Sequence, residues 1–384
     1  MPVSSVPESE LSCRYIGLVC GSNICCSQDG SDRYSQSCSH SHQPPWLEII
    51  VKNEPTVYIA AAAVSLAETV SVSEAIAEGL VPPTHQELGF ERIAVSNEQS
   101  GPEMAAQAAR SAIAHSELDS SDIGLVLHAS HWFQGLDLWP SAAYVANESV
   151  GAHPFALDVQ QQSLGGLGAM RLASSYLRSG FAQAALVTTG DRYASPGIDR
   201  WNTLDNIIFG DAGTAVVLST DSGFARIVSF AVGADNSLER VTRGTTDFAP
   251  APGMRRPVPV PERTQQFFTL PEAPAAWGQY EKGLFACHDQ ALSEAGAGPK
   301  DIRHAVVPFL HRGGGLTENF EILGYTEEQS LWSYGRTVGH LGAGDQAAGL
   351  AHLRENGRLA SGDLVMLVGA GIGFNFAAAV LEIL

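Results

Sequence analysis

Residues 138–173 read LWPSAAYVANESVGAHPFALDVQQQSLGGLGAMRLA. Pro140–Gly151 has the composition of a helix, and Phe155–Val159 is a short apolar strand. A second amphipathic helix is expected over Leu167–Arg178. Between strand and helix, Ser163 falls where the helix begins. A side chain at that point meets unpaired backbone N–H groups and the positive end of the helix dipole. Both favour developing negative charge, which is what a nucleophile and an oxyanion need. Gly165 and Gly166 allow a substrate to approach the backbone closely. The same position also suits a serine that merely caps a helix. The segment is not a G-x-S-x-G elbow, so α/β-hydrolase logic does not apply.

Outward from this stretch, short apolar runs alternate with Ala-rich helical stretches. TVYIAAAAVSL (56–66), IGLVLHAS (123–130), AALVTTGDR (184–192) and GTAVVLST (213–220) read as strands, and Pro102–His115 as a helix. A second half opens with ARIVSFAVGA (225–234) and a long helix over 276–296. It continues with HAVVPFLH (304–311), a strand delivering a histidine, and a helix over 344–357. Val241–Gln266, rich in Pro and Arg, reads as a surface loop. The uncharged stretch Leu364–Leu381 is long enough for a membrane span, but Gly369, Gly371 and Gly373 break it. It reads better as two buried strands around a Gly-rich turn. Strands alternating with helices predict an α/β fold with mostly parallel sheets.

Two further segments carry candidate chemistry. His311 stands at the end of an apolar strand, just before Arg312 and three glycines, well placed for a general base. In YGRTVGHLGAGDQAAG (334–349), His340 and Asp345 lie in a Gly-rich loop before a helix. Asp345 could cap that helix, or orient a histidine whose second ring nitrogen takes a proton from serine. His311 and His340 both stand as the base.

Of 384 residues, 45% are hydrophobic and 16% charged, the profile of a folded chain. Lys and Arg number 22 against 41 Asp and Glu, a formal charge of −19, which leaves no global field for nucleic acid or anionic lipid. No secretory signal pattern opens the chain, so a cytoplasmic protein is expected. Five of six cysteines (Cys13, Cys20, Cys25, Cys26, Cys38) fall in the first 38 residues, which argues against a disulfide framework. They lack paired C-x-x-C spacing, and no metal site is expected from them or from the neighbouring His40 and His42. Residues 1–55 are therefore expected to be an unstructured Ser/Cys-rich extension. The halves expected are 56–222, with the serine, and 223–384, with the histidine and aspartate.

Taken together, the segments from Thr56 to Leu384 resemble the 3-oxoacyl-[acyl-carrier-protein] synthase III family of the thiolase fold. The stretch 138–163 resembles the approach to the family nucleophile. FGDAGTAVVLS (209–219) resembles its G-D-G-A-G-A-V-V-L signature, and VMLVGAGIGFNFAAAVL (365–381) its terminal hairpin. The resemblance implies two related α/β halves in an αβαβα arrangement, a homodimer, and no metal or redox cofactor.

Three departures bear on activity. The family cysteine is Ser163 here, the P-H-Q-A-N histidine motif reads PFLHRGGG with His311, and Y-G-N-T reads YGRT with Arg336 in place of asparagine. Condensation needs histidine and asparagine donors to an enolate, and an aspartate nearby would repel it. The altered set suits acyl transfer: Ser163 as nucleophile, His311 as base, Asp345 fixing the base's tautomer. Backbone amides at Ser163 and near Ile372 would form the oxyanion hole by resemblance. The implied donor is an acyl or peptidyl carrier protein thioester, with an acyl group such as pyrrole-2-carboxyl. The implied acceptor is a small-molecule hydroxyl, such as a sugar's, in antibiotic biosynthesis. Trp132, Phe133 and Trp139 could wall a flat acyl group. Arg240, Arg243, Arg255, Arg256 and Arg263 form the densest basic cluster for carrier docking. A starter-unit synthase with His340 replacing the asparagine, and a non-catalytic acyl-selecting partner, are the alternatives.

Overall fold

The structure, a computed structural model, describes residues 55–384 except Asp205 and residues 311–318, with only the backbone of Asn319. The expected extension, its five cysteines and His311 lie outside the described residues. In chain order the strands are β1 (Tyr58–Leu66), β2 (Thr69–Ser71), β3 (Arg92–Ala94), β4 (Ile123–Ala129), β5 (Phe155–Val159) and β6 (Ala184–Asp191). They continue with β7 (Ala212–Ser219), β8 (Ala225–Ala234), β9 (Ile302–Val306), β10 (Leu364–Gly371) and β11 (Asn375–Ile383). The helices that build the layers are α1 (Gly101–His115), α2 (Ser141–Ser149), α3 (Gly165–Arg178), α4 (Ala273–Ala295) and α5 (Asp345–Glu355).

Nine strands form one sheet in the order β5-β4-β6-β7-β1-β8-β11-β10-β9, while β2 and β3 make a separate ribbon. With β5 set aside, the order reads alike from both ends: β1, β7, β6, β4 on one side answer β8, β11, β10, β9 on the other. The expectation of mostly parallel sheets is corrected. Only β4–β5, β4–β6 and β9–β10 are parallel, and the other neighbours run antiparallel. Hydrophobic runs report burial on both faces, not strand direction.

The layers follow from which side chains share a core. Along β7, Ala212, Val216 and Leu218 pack centrally with Leu167, Met170 and Ala173 of α3 and Leu350 and Leu353 of α5. The alternate residues Ala215 and Val217 face α1 and α2, against Ala108, Ala112 and Ala146. In the second half Val365 and Leu367 of β10 join the central core, while Met366 and Val368 pack toward Leu284, Cys287 and Leu292 of α4. The two halves of the sheet meet at only two residue pairs between β1 and β8, and period-2 alternation with both sets buried gives helix, sheet, helix, sheet, helix. This is the expected layered α/β architecture of the thiolase-like fold.

Local chemistry explains the boundaries. Ser100 and Glu103 form a reciprocal capping box at the start of α1, with Pro102 in its first turn. The stretch Leu364–Leu381 is the expected hairpin, β10 and β11 paired in register from Leu364↔Glu382 to Gly371↔Asn375. No helix among the described residues is long and apolar enough to cross a membrane. HAVVPFLH is a strand only to Val306, with Pro308 just beyond it. Val241–Gln266 is not all loop: helices cover Arg240–Arg243 and Val260–Phe267.

Candidate active site

Helices α3 and α5 lie side by side in the central layer, and both are entered through a 3-10 turn, Gln162–Leu164 and Gly342–Gly344. Ser163 sits in the first turn, and Asp345 opens α5 just after the second. The residue before Ser163, Gln162, is held at φ 51°, a left-handed conformation unusual for a non-glycine.

Ser163 Oγ lies 2.9 Å from His340 Nε2, and His340 Nδ1 lies 2.6 Å from Asp345 Oδ2. Both His340 and Asp345 are buried. A carboxylate only accepts, so His340 Nδ1 carries the proton donated to Asp345. Nε2 is then left to accept from the Ser163 hydroxyl. Asp345 is held in turn by its neighbours: Oδ1 accepts the Leu341 amide at 2.8 Å and Oδ2 the Phe309 amide at 2.7 Å. His340 is fixed through its backbone, donating to the Ile208 carbonyl and accepting from the Gly210 amide, each at 2.9 Å. Its ring packs against Phe209 at 5.7 Å and His131 at 6.3 Å between centroids.

The loop between His340 and Asp345 must double back, and Gly342 makes that possible. Its φ is +60°, and a Cβ there would fall 2.2 Å from the Tyr193 hydroxyl and 2.6 Å from Asp191 Oδ2.

Of the two histidines proposed as base, the structure brings His340 to Ser163; His311 is outside the described residues. Asp345 is bonded to His340, while its expected pairing with His311 falls outside the described residues. Arg336, placed by the motif reading at the asparagine position, points elsewhere. It donates to the Gly89 carbonyl at 3.2 Å and lies 3.2 Å from Glu91 Oε1. Ile372 lies in the turn after β10. The residue before it, Gly371, rests on the nucleophile turn, where a Cβ would be 2.4 Å from the Gln161 carbonyl oxygen and 3.0 Å from Leu164 N. Trp132 follows His131 on the loop leaving β4.

The basic cluster is largely neutralised by its own neighbours. Arg240 pairs with Glu272 at 2.7 Å, Arg255 with Glu262 at 2.5 Å, and Arg243 with Glu239. Three of the five guanidiniums are thus held in local ion pairs, and Arg256 lies over the Trp132 ring.

The sequence reading missed what surrounds His340. Tyr193 stacks on Phe209 at 4.2 Å, and the His131 ring packs against both. Burial, reinforced by the neighbouring His340, pushes the His131 pKa down to about 3, so this ring stays neutral beside its neighbour. Asp211 of the FGD motif is tied to Arg200 by two 2.8 Å contacts and accepts the Tyr193 and Ser96 amides. Asp191 holds two loops together, accepting the His131 and Trp132 amides at 2.8–3.0 Å and the Ala343 amide at 3.5 Å.

Burial pushes the Asp191 pKa from an ordinary 3.8 to about 8, against the opposing pull of those amides. The folded state therefore binds the proton more tightly than the unfolded chain. Asp191 stabilises the fold most below about pH 4, and this contribution is lost as pH rises toward 8. The Asp191→Asn variant lacks this titration. Between pH 4 and 8, the stability of the native protein should fall relative to the variant by up to about 1.4 kcal/mol per pH unit. Urea unfolding midpoints across that range check this, and a pH-independent difference would contradict it.

Comparison with known proteins fits this geometry to a family. The 3-oxoacyl-[acyl-carrier-protein] synthase III profile matches residues 157–236, and the profile of its C-terminal part matches residues 292–383. The chain is 28% identical over 296 residues to the 3-oxopimeloyl-[acyl-carrier-protein] synthase of Rhodothermus marinus, covering 76% of this chain and 82% of that protein. The solved structure of ChlB3, described as an acyltransferase, superposes with a TM-score of 0.81 at 32% identity, covering 86% of this chain and 98% of that one. The 3-oxoacyl-[acyl-carrier-protein] synthase III of Aquifex aeolicus shares the fold, with a TM-score of 0.68 at 18% identity over 85% of this chain and 99% of that one. The chain belongs to the 3-oxoacyl-[acyl-carrier-protein] synthase III family, with its thiolase-like fold.

Proposed function

We propose that the chain is an acyltransferase that carries an acyl group from a carrier-protein thioester, through an ester on Ser163, to an acceptor hydroxyl. The observation that carries this reading is the continuous relay Ser163–His340–Asp345, at 2.9 and 2.6 Å. In the first half, His340 Nε2 takes the hydroxyl proton as Ser163 Oγ attacks the thioester carbonyl. The C–S bond then breaks and the carrier thiol leaves with that proton. In the second half, His340 takes the acceptor's proton. The acceptor oxygen attacks the acyl ester, and the proton returns to Ser163 as its C–O bond breaks. Asp345 keeps the tautomer correct and stabilises the imidazolium. Amides of the Ser163 turn and the Ile372 hairpin are assigned to the oxyanion.

ChlB3, described as an acyltransferase, supports transfer over condensation. So does the carboxylate of Asp345 behind His340, which would disfavour an enolate at this site. The Ser163–His340 contact also argues against a non-catalytic role. We assign a small planar acyl group such as pyrrole-2-carboxyl, a sugar-like acceptor and a place in antibiotic biosynthesis on the family resemblance. A cytoplasmic homodimer belongs to the same reading. The exposed edge strand β5, with Phe155 and Leu157 in solvent, supports the dimer. A starter-unit synthase would release carbon dioxide from a malonyl carrier as product forms. Incubation with acyl and malonyl carriers should give no such release, and stoichiometric release would overturn the assignment.

A further inference from the structure

The loop that leaves β4 is held by buried groups. Beyond the two amides donated to Asp191, Gln134 Nε2 donates to the Trp132 carbonyl at 3.0 Å and the Gly190 carbonyl at 2.9 Å. Gln134 Oε1 lies 2.9 Å from Nε2 of the buried His128, whose Nδ1 lies 2.9 Å from the Thr188 hydroxyl. With the loop anchored to these buried partners, the cost of ordering an aromatic wall is met before any ligand arrives.

That wall faces a cleft of about 500 Å³, lined among others by Trp132, Phe133, Asp137, Arg192, Pro196 and Arg256. The volume suits a small molecule. The Arg256 guanidinium lies 5.5 Å from the Trp132 ring centroid and donates to the Arg255 carbonyl at 3.0 Å. Arg192 donates to the Asn97 carbonyl at 3.0 Å, while its buried Nε has no hydrogen-bond partner among the described residues. Among the described residues neither guanidinium has a carboxylate within salt-bridge distance, although the neighbouring Arg240, Arg243 and Arg255 each do; Arg192 still acts through space on Glu103. In a chain of net charge −19, two guanidiniums beside two aromatic rings make a site of defined chemistry. Asp137 is the one carboxylate in the lining.

We propose that this cleft binds a small planar aromatic anion, its ring against Trp132 and Phe133 and its carboxylate or phosphate between Arg192 and Arg256. Guanidinium forks match both groups, and a stacked ring adds to the pairing. The proposal does not depend on an acyl-serine, and Ser163→Ala should retain the binding.

Calorimetric titration with benzoate and with phenyl phosphate tests it, with phenol and inorganic phosphate as controls. At least one aryl anion should bind saturably and tenfold or more tightly than either control, and the better of the two names the anionic group. Arg256→Ala and Arg192→Gln should each weaken binding about tenfold or more. Asp137→Asn, which removes the opposing charge, should tighten it several-fold; misfolding cannot imitate that gain. The proposal is overturned if neither aryl anion binds, if the arginine variants bind as well as the native protein, or if Asp137→Asn has no effect. Loss of acylation with retained aryl-anion binding would count against the proposed function alone.

Discussion

Replacing His340 with alanine should lower the rate at which Ser163 is acylated by roughly 10^4-fold or more. A serine hydroxyl is hardly ionised at neutral pH, and among the described residues His340 Nε2 is the ring nitrogen hydrogen-bonded to it, at 2.9 Å. Single-turnover acylation by a thioester measures this directly. The ring also fills space against Phe209 and His131, so some loss of stability is expected alongside. A thermal unfolding curve separates the two effects, because only native-like variant is scored in the kinetic assay. A loss below tenfold would mean that another group serves as base, and His311 would be tested next.

Asp345→Asn is the second large effect, and its direction follows from proton counting. The amide that replaces the carboxylate can donate to His340 Nδ1, which moves the imidazole proton to Nε2. Nε2–H then faces the serine oxygen and cannot accept from it. The rate should fall by roughly 10^3 to 10^4, about 4–5 kcal/mol of transition-state stabilisation. The side chain also accepts the Leu341 and Phe309 amides, so a stability loss of about 1–3 kcal/mol accompanies the change. If unfolding midpoints account for the whole loss of activity, Asp345 is a structural anchor of the loop and not part of the relay.

The sequence showed its layers well and its site in part. Strands such as β6 and β7 are buried on both faces, so they appear as unbroken apolar runs, and α1 carries a readable capping box. Strand direction left no such trace, because periodicity is the same for either sense. Ser163 was legible because the start of a helix is a local feature. Which of the two candidate histidines is its partner was not, since His340 lies 177 positions away and reaches it only through packing of two 3-10 turns. The five-residue separation of His340 and Asp345 matches no helical or strand period. Only the φ of +60° at Gly342 folds the aspartate back onto the ring. The enclosure of His340 by Phe209, Tyr193 and His131 draws on three separate segments, and no one of them announces it.

Intact-protein mass spectrometry reads whether Ser163 carries the acyl group. Native protein and Ser163→Ala would be mixed with a panel of acyl-carrier thioesters and the mass of each read within the first turnovers. A gain equal to one acyl group is expected on the native protein and none on the variant, with the productive donor identified by the size of the gain. An adduct that survives Ser163→Ala, or product formation without any adduct on the native protein, would contradict it.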